Sequence, residues 1–339
     1  MKKDLRFSVI LPVWHGEGFL EDALHSLQQL DFPPDRFEVI VAGREGDFAS
    51  HRIVEAERKK SAVAMEFVEC SGTRRSRMLN AGCNAAKGQI LVFADDDCLF
   101  REMWLRKLDE VIRKEPGAGI VGGEDELESD NSPFDLALDY VLKSFVGTGG
   151  LRRGAGPLTK EYYPRLWNMA VPRDVALGVA LHIAGQPPQI FNESLVAHED
   201  VDLGKRIAGI GKRIVSAPEV LVGHRRAATI WRFIKRNFNN ARTSRSLGVH
   251  RLPHCALAAF TLLLSTLFLA SWFSSSSRYL FVVLLGTYCT LLLIAGLKGF
   301  LHSRRVSVLA VVPVLLVALH LARGIGYLFP LRSSHPKST

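Results

Sequence analysis

No Cys-x-x-Cys pair and no metal-binding cysteine spacing occurs in the sequence; its five cysteines stand apart, at 70, 83, 98, 255 and 289. That excludes a disulfide-stapled scaffold and a zinc module, and reads as free, reduced thiols in a cytoplasmic and membrane setting. No RNA- or DNA-recognition motif is present, so nucleic acid is not an expected partner and does not explain the formal net charge of +9. Internal repeats and low-complexity linkers are also missing. The opening "MKKDLRFSVILPVW" has two lysines, but its apolar run is too short for a secretory signal. The first 250 residues are therefore expected to stay on the side where they are made.

Charge itself is missing from two long stretches. "CALAAFTLLLSTLFLASWF" (255–273) and "YLFVVLLGTYCTLLLIAGL" (279–297) carry none, and each is long enough to cross a hydrocarbon core of about 30 Å. "VSVLAVVPVLLVALHLA" (306–322) is a third span, shorter and interrupted by Pro313 and His320. Arg242, Arg245 and Arg251 precede the first span, and Lys298, Arg304 and Arg305 separate the second from the third. Positive flanks face the cytoplasm, which places both there. Arg323, Arg332 and Lys337 fit poorly with an outside C-terminus, so the last crossing is open to a re-entrant reading. The basic residues crowd these spans and suit a membrane surface.

Before the membrane, short apolar runs alternate with amphipathic helical patterns. "FSVILPV" (7–13), "FEVIVAG" (37–43), "AVAMEFVE" (62–69) and "GQILVFA" (88–94) read as strands, with helices expected over 18–30, 48–60, 74–86 and 101–114. This alternation implies an α/β fold, a mostly parallel sheet with helices on both faces, followed by a C-terminal transmembrane region. Ligands of such sheets bind outside the carboxyl ends of the strands.

The fourth strand runs directly into Asp95, Asp96 and Asp97. Adjacent carboxylates repel and raise one another's pKa unless a cation lies between them. One reading makes them a helix cap, which a single Asp would satisfy. A second makes them the Walker B strand of a nucleotide triphosphatase, but no glycine-rich loop ending in Gly-Lys-Ser/Thr is present; "GIGKRI" (209–214) lacks the first glycine and the hydroxyl. In the third, Asp95 and Asp97 hold a hard divalent cation, Mg²⁺ or Mn²⁺, that bridges a diphosphate.

The third reading is sharpened by an ordered set of segments. "FSVILPVWHGEGFLEDALHSL", "LNAGCNAAKGQILVFADDD", "NMAVPRDVAL" (168–177) and "HEDVDLGKRIAGIGKRIVSAPEVLVGHR" (198–225) together resemble glycosyltransferase family 2, of GT-A (Rossmann-like) fold, over about residues 5 to 226. The resemblance implies that Asp97 binds the metal, with Asp95 on the ribose or in the metal shell and His224 on the metal. Asp96 is the variable middle position beside the substrate. Pro12 and Trp14 fall where the family holds the nucleotide base, a flat indole being suited to stack on a flat base; Glu17, in the same opening segment, is assigned with them. Arg77 and Asn80 are expected at the pyrophosphate, Arg225 near the diphosphate, and Glu199 beside the substrate. Asp200 matches the general base that takes the acceptor proton in an inverting transfer. Glu199, Asp202 and Arg206 also have the spacing of ordinary helix-surface partners. Two positions depart from the family pattern. Leu79, not Arg, precedes Asn80, and Gly43 stands where the family has an Asp that reads the base, which puts uridine diphosphate in question.

The basic, aromatic helix 228–247 is expected in the headgroup plane, its aromatics down and its arginines on lipid phosphates. A second amphipathic stretch (134–156) ends in a glycine-rich basic loop. The Gln-x-x-Arg-Trp motif of the family's processive synthases is missing. The expected layout is a GT-A domain (1–226), an interfacial helix (227–250), a transmembrane region (251–330) and a tail (331–339). The order resembles membrane-anchored bacterial exopolysaccharide or glycolipid transferases of the inner membrane, with the catalytic domain cytoplasmic. Single-sugar transfer from a nucleotide-sugar to a lipid or lipid-linked acceptor follows, and an oligomer is compatible with it. The rivals are a non-catalytic GT-A-like binding module, favoured by Gly43 and Leu79, and a processive synthase.

Overall fold

The computed structural model describes residues 5–13, 18–72, 74–128, 132–148, 162–225, 229–247 and 251–329. They group into two compact units, Met1–Glu128 with Tyr163–Arg226, and Ser129–Tyr162 with Ala227–Thr339. Ser129–Tyr162, placed by its sequence position inside the first domain, thus groups with the C-terminal helices.

In the first unit the four apolar runs form β1 (Phe7–Pro12), β2 (Phe37–Arg44), β3 (Ala64–Cys70) and β4 (Ile90–Phe93). Between them lie α1 (Leu20–Gln28), α2 (Phe48–Arg58) and α3 (Arg75–Ala85). Then come β5 (Cys98–Phe100), α4 (Trp104–Lys114) and β6 (Ala118–Leu127). The chain next enters the second unit for α5 (Pro133–Lys143) and α6 (Phe145–Thr148). It returns through a 3-10 turn (Leu166–Asn168), β7 (Met169–Pro172), α7 (Arg173–Gly178), α8 (Glu199–Gly209) and β8 (Arg213–His224).

The strand order is β3-β2-β1-β4-β7-β6-β8-β5. β3, β2, β1 and β4 run parallel, as do β6 and β8, whereas β7 is antiparallel to both β4 and β6, and β5 to β8. The sheet is therefore mixed; the direction of a four-residue strand such as β7 leaves no trace in its composition. Strand alternation sends Phe7, Val9 and Leu11 into one core with Leu24, Val54 and Trp104, and Ile10, Ile40 and Phe93 into a second with Leu79, Val175 and Ile207. Both faces are covered, as expected for this class.

Two buried polar networks fix the register. Glu38 Oε1 accepts from Ser8 Oγ and from the Lys87 amide, each at 2.6 Å, and Ser8 Oγ accepts from the Gly88 amide at 2.8 Å. This ties the start of β4 to β1 and β2, so that β4 ends where its acids belong. Asn168 does the same for the other half. Its amide donates to Glu124 O (2.9 Å) and Val220 O (2.8 Å), and its carbonyl accepts from Trp104 Nε1 (3.0 Å).

The second unit contains α5, α6 and four further helices: α9 (Ile230–Leu247), α10 (Arg251–Ala270), α11 (Ser275–Ser303) and α12 (Val306–Leu328). Three segments, Pro253–Ala270, Ser275–Ser303 and Val306–Leu328, are long and apolar enough to cross a membrane. The third is longer than the apolar run suggested, and its helix continues through Pro313. Val308, Val312, Leu315 and Leu319 of α12 form a core with Ala137, Leu138 and Val141 of α5, Phe233 of α9, and Leu292 and Ala295 of α11. The expectation for the aromatics of α9 therefore divides: Phe233 is buried there, while Trp231 is 70% exposed. Arg242 and Arg245 donate to Phe329 O (2.9 Å) and Tyr327 O (2.7 Å), satisfying carbonyls at the end of α12 that the helix itself leaves open.

Candidate active site

β4 is apolar and wholly buried, so the first residues free to bear charge are those beyond it. Asp95, Asp96 and Asp97 follow and turn directly into β5. The antiparallel pairing of β5 with β8 sets Cys98 opposite His224, which carries the imidazole to the acids. His224 Nε2 lies 3.0 Å from Asp97 Oδ1, and its Nδ1 3.8 Å from Asp125 Oδ2. Ligand atoms of Asp97, Cys98 and His224 all fall within 4.8 Å of one another.

These residues fit a hard divalent cation. Asp97 Oδ1 is buried and makes no hydrogen bond, with an imidazole nitrogen beside it. Oxygen and imidazole suit Mg²⁺ or Mn²⁺, the remaining positions being left to phosphate and water. Cys98 is different in kind, because burial, followed by Asp95 and Asp97, pushes its thiol well up. It remains a protonated wall of the site. Asp95, expected to share the ion, is not among the ligand atoms gathered with Asp97.

Asp95 pairs with Arg75, in the first turn of α3. Burial alone would lower the pKa of this guanidinium; Asp95, then Glu199, Asp200 and Asp97, reverse the shift and raise it. Arg75 is thus a cation among the acids, which the spacing of the acids alone could only require in the abstract. Burial, then Asp95 and Asp97 on either side, still push the Asp96 carboxyl up to about 7. One arginine therefore does not offset the trio, and a bound divalent ion would.

The second half of the site is the first turn of α8. His198 precedes it with a left-handed backbone (φ 64°), an uncommon conformation for a residue with a Cβ. Glu199 and Asp200 follow, 8% and 7% exposed. Acids here gain from the unpaired amides and dipole of the helix start. Asp200 Oδ1 accepts from the Val201 amide at 2.9 Å, and its Oδ2 lies 3.6 Å from Arg165. Burial raises the Glu199 carboxyl, opposed mainly by Arg75. Asp202 and Arg206 form the expected surface pair at 2.9 Å, and Arg206 also donates to Val179 O and Ile190 O.

The other sequence-assigned residues are placed as follows. Pro12 ends β1, buried, in register with Ala42. Trp14 and Glu17 lie outside the described residues. The Arg225 amide donates to Asp97 O at 2.8 Å, and its side chain pairs with Asp22 and lies 5.6 Å from the Phe19 ring centroid. Arg77 and Asn80 do not join the acids. Arg77 binds Glu193 at 3.0 Å, while Asn80 exchanges hydrogen bonds with the Phe191 backbone at 2.8 and 2.9 Å. Both line a separate cavity of about 310 Å³ with Cys70, Gln186 and Gln189. Leu79 is fully buried in the second core. At Gly43 an added Cβ would lie 2.6 Å from Phe67 Cζ and 3.2 Å from Val13 Cγ1, so an Asp here would require the Phe67 ring to shift.

Arg75, Arg165 and Asp125 are the residues that sequence reasoning missed. A signal for Arg75 existed: it lies three and four residues before Met78 and Leu79, on the face of α3 that packs toward the sheet. Arg77 lies off that face. No comparable signal marks Arg165 or Asp125.

A family model described as "Glycosyltransferase like family 2" matches residues 5–243. The chain is 30% identical over 93 residues to the poly(ribitol-phosphate) beta-N-acetylglucosaminyltransferase TarS of Staphylococcus aureus, covering 27% of this chain and 16% of that one. It is 22% identical over 228 residues to the glycosyltransferase AglE of Haloferax volcanii, covering 64% and 66%. The match thus spans less than a fifth of TarS and just under two thirds of AglE. Among solved structures, the mannosyltransferase PcManGT of Pyrobaculum calidifontis, in complex with GDP-Man and Mn²⁺, aligns with a TM-score of 0.64 at 17% identity, over 95% of this chain and 87% of that one. At that identity the likeness is one of fold.

Proposed function

The chain belongs to glycosyltransferase family 2, and on that premise we propose that it transfers a single sugar, with inversion, from a nucleotide-sugar to a lipid or lipid-linked acceptor. The carrying observation is that Arg75, paired with Asp95, also feels the charges of Glu199, Asp200 and Asp97. A metal-side trio and a candidate base, about a hundred residues apart in sequence, thereby share one electrostatic site.

Asp97 and His224 would hold Mg²⁺ or Mn²⁺, which when bound offsets the charge of the departing diphosphate. Asp95, paired with Arg75, would meet the donor beside that ion. Asp200 takes the proton of the acceptor hydroxyl as that oxygen bonds to the anomeric carbon. The bond from that carbon to the diphosphate breaks in the same displacement, hence inversion. Arg165, 3.6 Å from its Oδ2, keeps Asp200 aimed. Glu199, its carboxyl raised by burial, holds its proton more tightly than a free carboxyl, which lessens repulsion at the base. The packing of Gly43 argues against the family's usual uracil contact, and PcManGT takes GDP-Man; guanosine donors therefore belong beside uridine donors in any trial.

The three membrane-length helices of the same chain support a membrane-embedded acceptor. The basic flanks of the first two spans support a bacterial inner-membrane location with the catalytic unit on the cytoplasmic face. Membrane lipids are then standing partners.

The test is turnover of UDP-, GDP- and dTDP-sugars by purified full chain in lipid nanodiscs, with Mn²⁺, Mg²⁺ or chelator and bacterial lipid extract as acceptor. One donor should be consumed only with metal and yield a single-sugar lipid product. Asp200→Asn should reduce transfer at least a hundredfold while leaving nucleotide binding in place, and Asp97→Asn should lose metal-dependent binding. Turnover that is indifferent to both substitutions would overturn the assignment, and a long polymer product would favour a processive synthase.

A further inference from the structure

Arg77 and Asn80, expected at the pyrophosphate, lie apart from the acids and line a cavity of about 310 Å³ in the first unit. The geometry of α3 separates the two sites. Arg75, in the first turn, pairs with Asp95. Arg77, Ala81 and Asn84 stand at i, i+4 and i+7, a single stripe of the helix, and line the cavity together with residues of the loop before α8.

The floor of this cavity is built from paired groups. Asn80, 5% exposed, donates to Phe191 O at 2.9 Å and to Glu193 Oε1 at 3.0 Å. Arg77 Nε donates to the other Glu193 oxygen at 3.0 Å, and its Nη1 to Ser71 O at 3.3 Å. Gly72 lies against this guanidinium with a left-handed backbone (φ 91°), and a Cβ there would come 2.8 Å from Nη1. The rim is held as well. Leu181 and Gln189 exchange backbone hydrogen bonds at 2.8 and 2.9 Å, which closes the loop between them. Pro187 and Pro188 fix the chain direction just before that bridge. Gln189, itself buried, donates through Nε2 to Gln186 Oε1 at 2.7 Å.

The groups left over define the occupant. Among the described residues, the Asn84 carboxamide, the Ser71 hydroxyl and the NH₂ of Gln186 have no hydrogen-bond partner, and all three residues line the cavity. They offer donors and acceptors without charge. The two charged residues of the lining, Arg77 and Glu193, neutralise each other. Burial, then Glu193, raise the Cys70 thiol against the opposing pull of Arg77, so it adds no negative charge. An anion would have to displace Glu193 from Arg77, and a cation the reverse. An apolar ligand would strand the amides. A neutral polyol satisfies them, because each hydroxyl both donates and accepts, and the rings of Pro187 and Pro188 give its C–H face an apolar wall. The volume lies at the lower end of small-molecule sites, about 300–1,000 Å³, and suits a mono- or disaccharide.

We propose that this cavity is a saccharide subsite, apart from the acids, which takes a neutral sugar through Ser71, Asn84 and Gln186, either as a free sugar or as the glycan of an acceptor. No aromatic ring stands among the described lining residues to stack on the sugar, so the affinity is millimolar. The binding claim stands apart from the transferase reading above, and only its kinetic consequence rests on it.

The experiment uses the full chain in nanodiscs, without turnover. Alkylation of each cysteine by N-ethylmaleimide is followed by peptide mass spectrometry during titration with glucose, galactose, mannose, N-acetylglucosamine and their disaccharides. Glucuronate and inorganic phosphate serve as charged controls. Cys70, on the cavity wall, reports occupancy, and Cys255, exposed in the second unit, reports any general effect. At least one neutral sugar should slow Cys70 saturably and leave Cys255 unchanged. Asn84→Leu and Gln186→Leu, both at exposed positions, should weaken that protection about fivefold, as the loss of a neutral hydrogen bond does, with the Kd for GDP and UDP in Mn²⁺ held within about twofold. The absence of saturable protection by any sugar would overturn the proposal. So would protection that survives both substitutions, or stronger protection by glucuronate or phosphate, the mark of an anion site. Transfer kinetics separate the two sources. For an acceptor glycan, both substitutions raise KM for a glycosylated lipid and not for an unglycosylated one; for a free sugar, they change neither. If wild type turns over no donor, the transferase reading fails while Cys70 protection still decides the subsite.

Discussion

Arg75 should be more than a bystander to the acids, and its pairing with Asp95 can be measured. At an effective dielectric near 20, opposite charges about 4 Å apart attract by roughly 4 kcal/mol. Their side chains are 33% and 17% exposed, and screening brings the expected coupling to about 2 kcal/mol, between an open surface pair and a sealed one. The assay is a double-mutant cycle of Arg75→Met and Asp95→Asn, followed by thermal unfolding of metal-free protein in nanodiscs. For a unit of this size one kcal/mol moves Tm by about 2–4 °C. Arg75→Met alone should therefore lower Tm by about 4–8 °C, and adding Asp95→Asn should restore much of the loss. Mn²⁺ should protect Arg75→Met more than wild type, because the ion is then the main cation left among the acids. A coupling below about 0.5 kcal/mol, the ordinary limit of additivity, would refute the assigned role of Arg75.

Two further outcomes follow from buried polar groups. Burial raises the Glu199 pKa above its unfolded value. The folded state then holds that proton more tightly, so the contribution is most favourable below the unfolded pKa and is lost as pH rises through the folded one. Glu199→Gln should accordingly raise Tm relative to wild type near pH 8 and lose that advantage near pH 4.5; an advantage that grows on acidification would contradict the assignment. Asn168→Leu keeps the volume but strands Trp104 Nε1, Glu124 O and Val220 O. At about 1–3 kcal/mol for an unsatisfied buried group, a loss of at least about 3 kcal/mol should appear in denaturant unfolding, and a loss under 1 would show that the network is dispensable.

The parallel half of the sheet was legible because its strands are uninterrupted apolar runs bounded by turn residues, and α3 and α4 were legible by periodicity. β5 was hidden: three residues directly after three acids offer no alternation to count. The partners of the amphipathic stretch near 134 were hidden for another reason. A pattern shows that a helix has an apolar face, but the face against which it packs lies over 150 residues away on α12. The acid trio stood out as a residue type that a strand end rarely needs, and the Glu199–Asp200 pair by its place in the ordered set of segments that resembles the family, since acids at a helix start are common on their own. Their arginines did not, since Arg75 and Arg77 differ only in which side of α3 faces the sheet. That phase follows from packing.

The excursion through α5 and α6 also has a consequence in time. Ala137, Leu138 and Val141 are made well before Val308, Val312 and Leu315, the residues of α12 that help bury them. A chain ended after Arg226 would contain every strand of the sheet and still present these apolar side chains to water. Such a truncated chain should aggregate, however complete its catalytic residues. In the growing protein the same surface must wait, against lipid or a chaperone, until α12 is made.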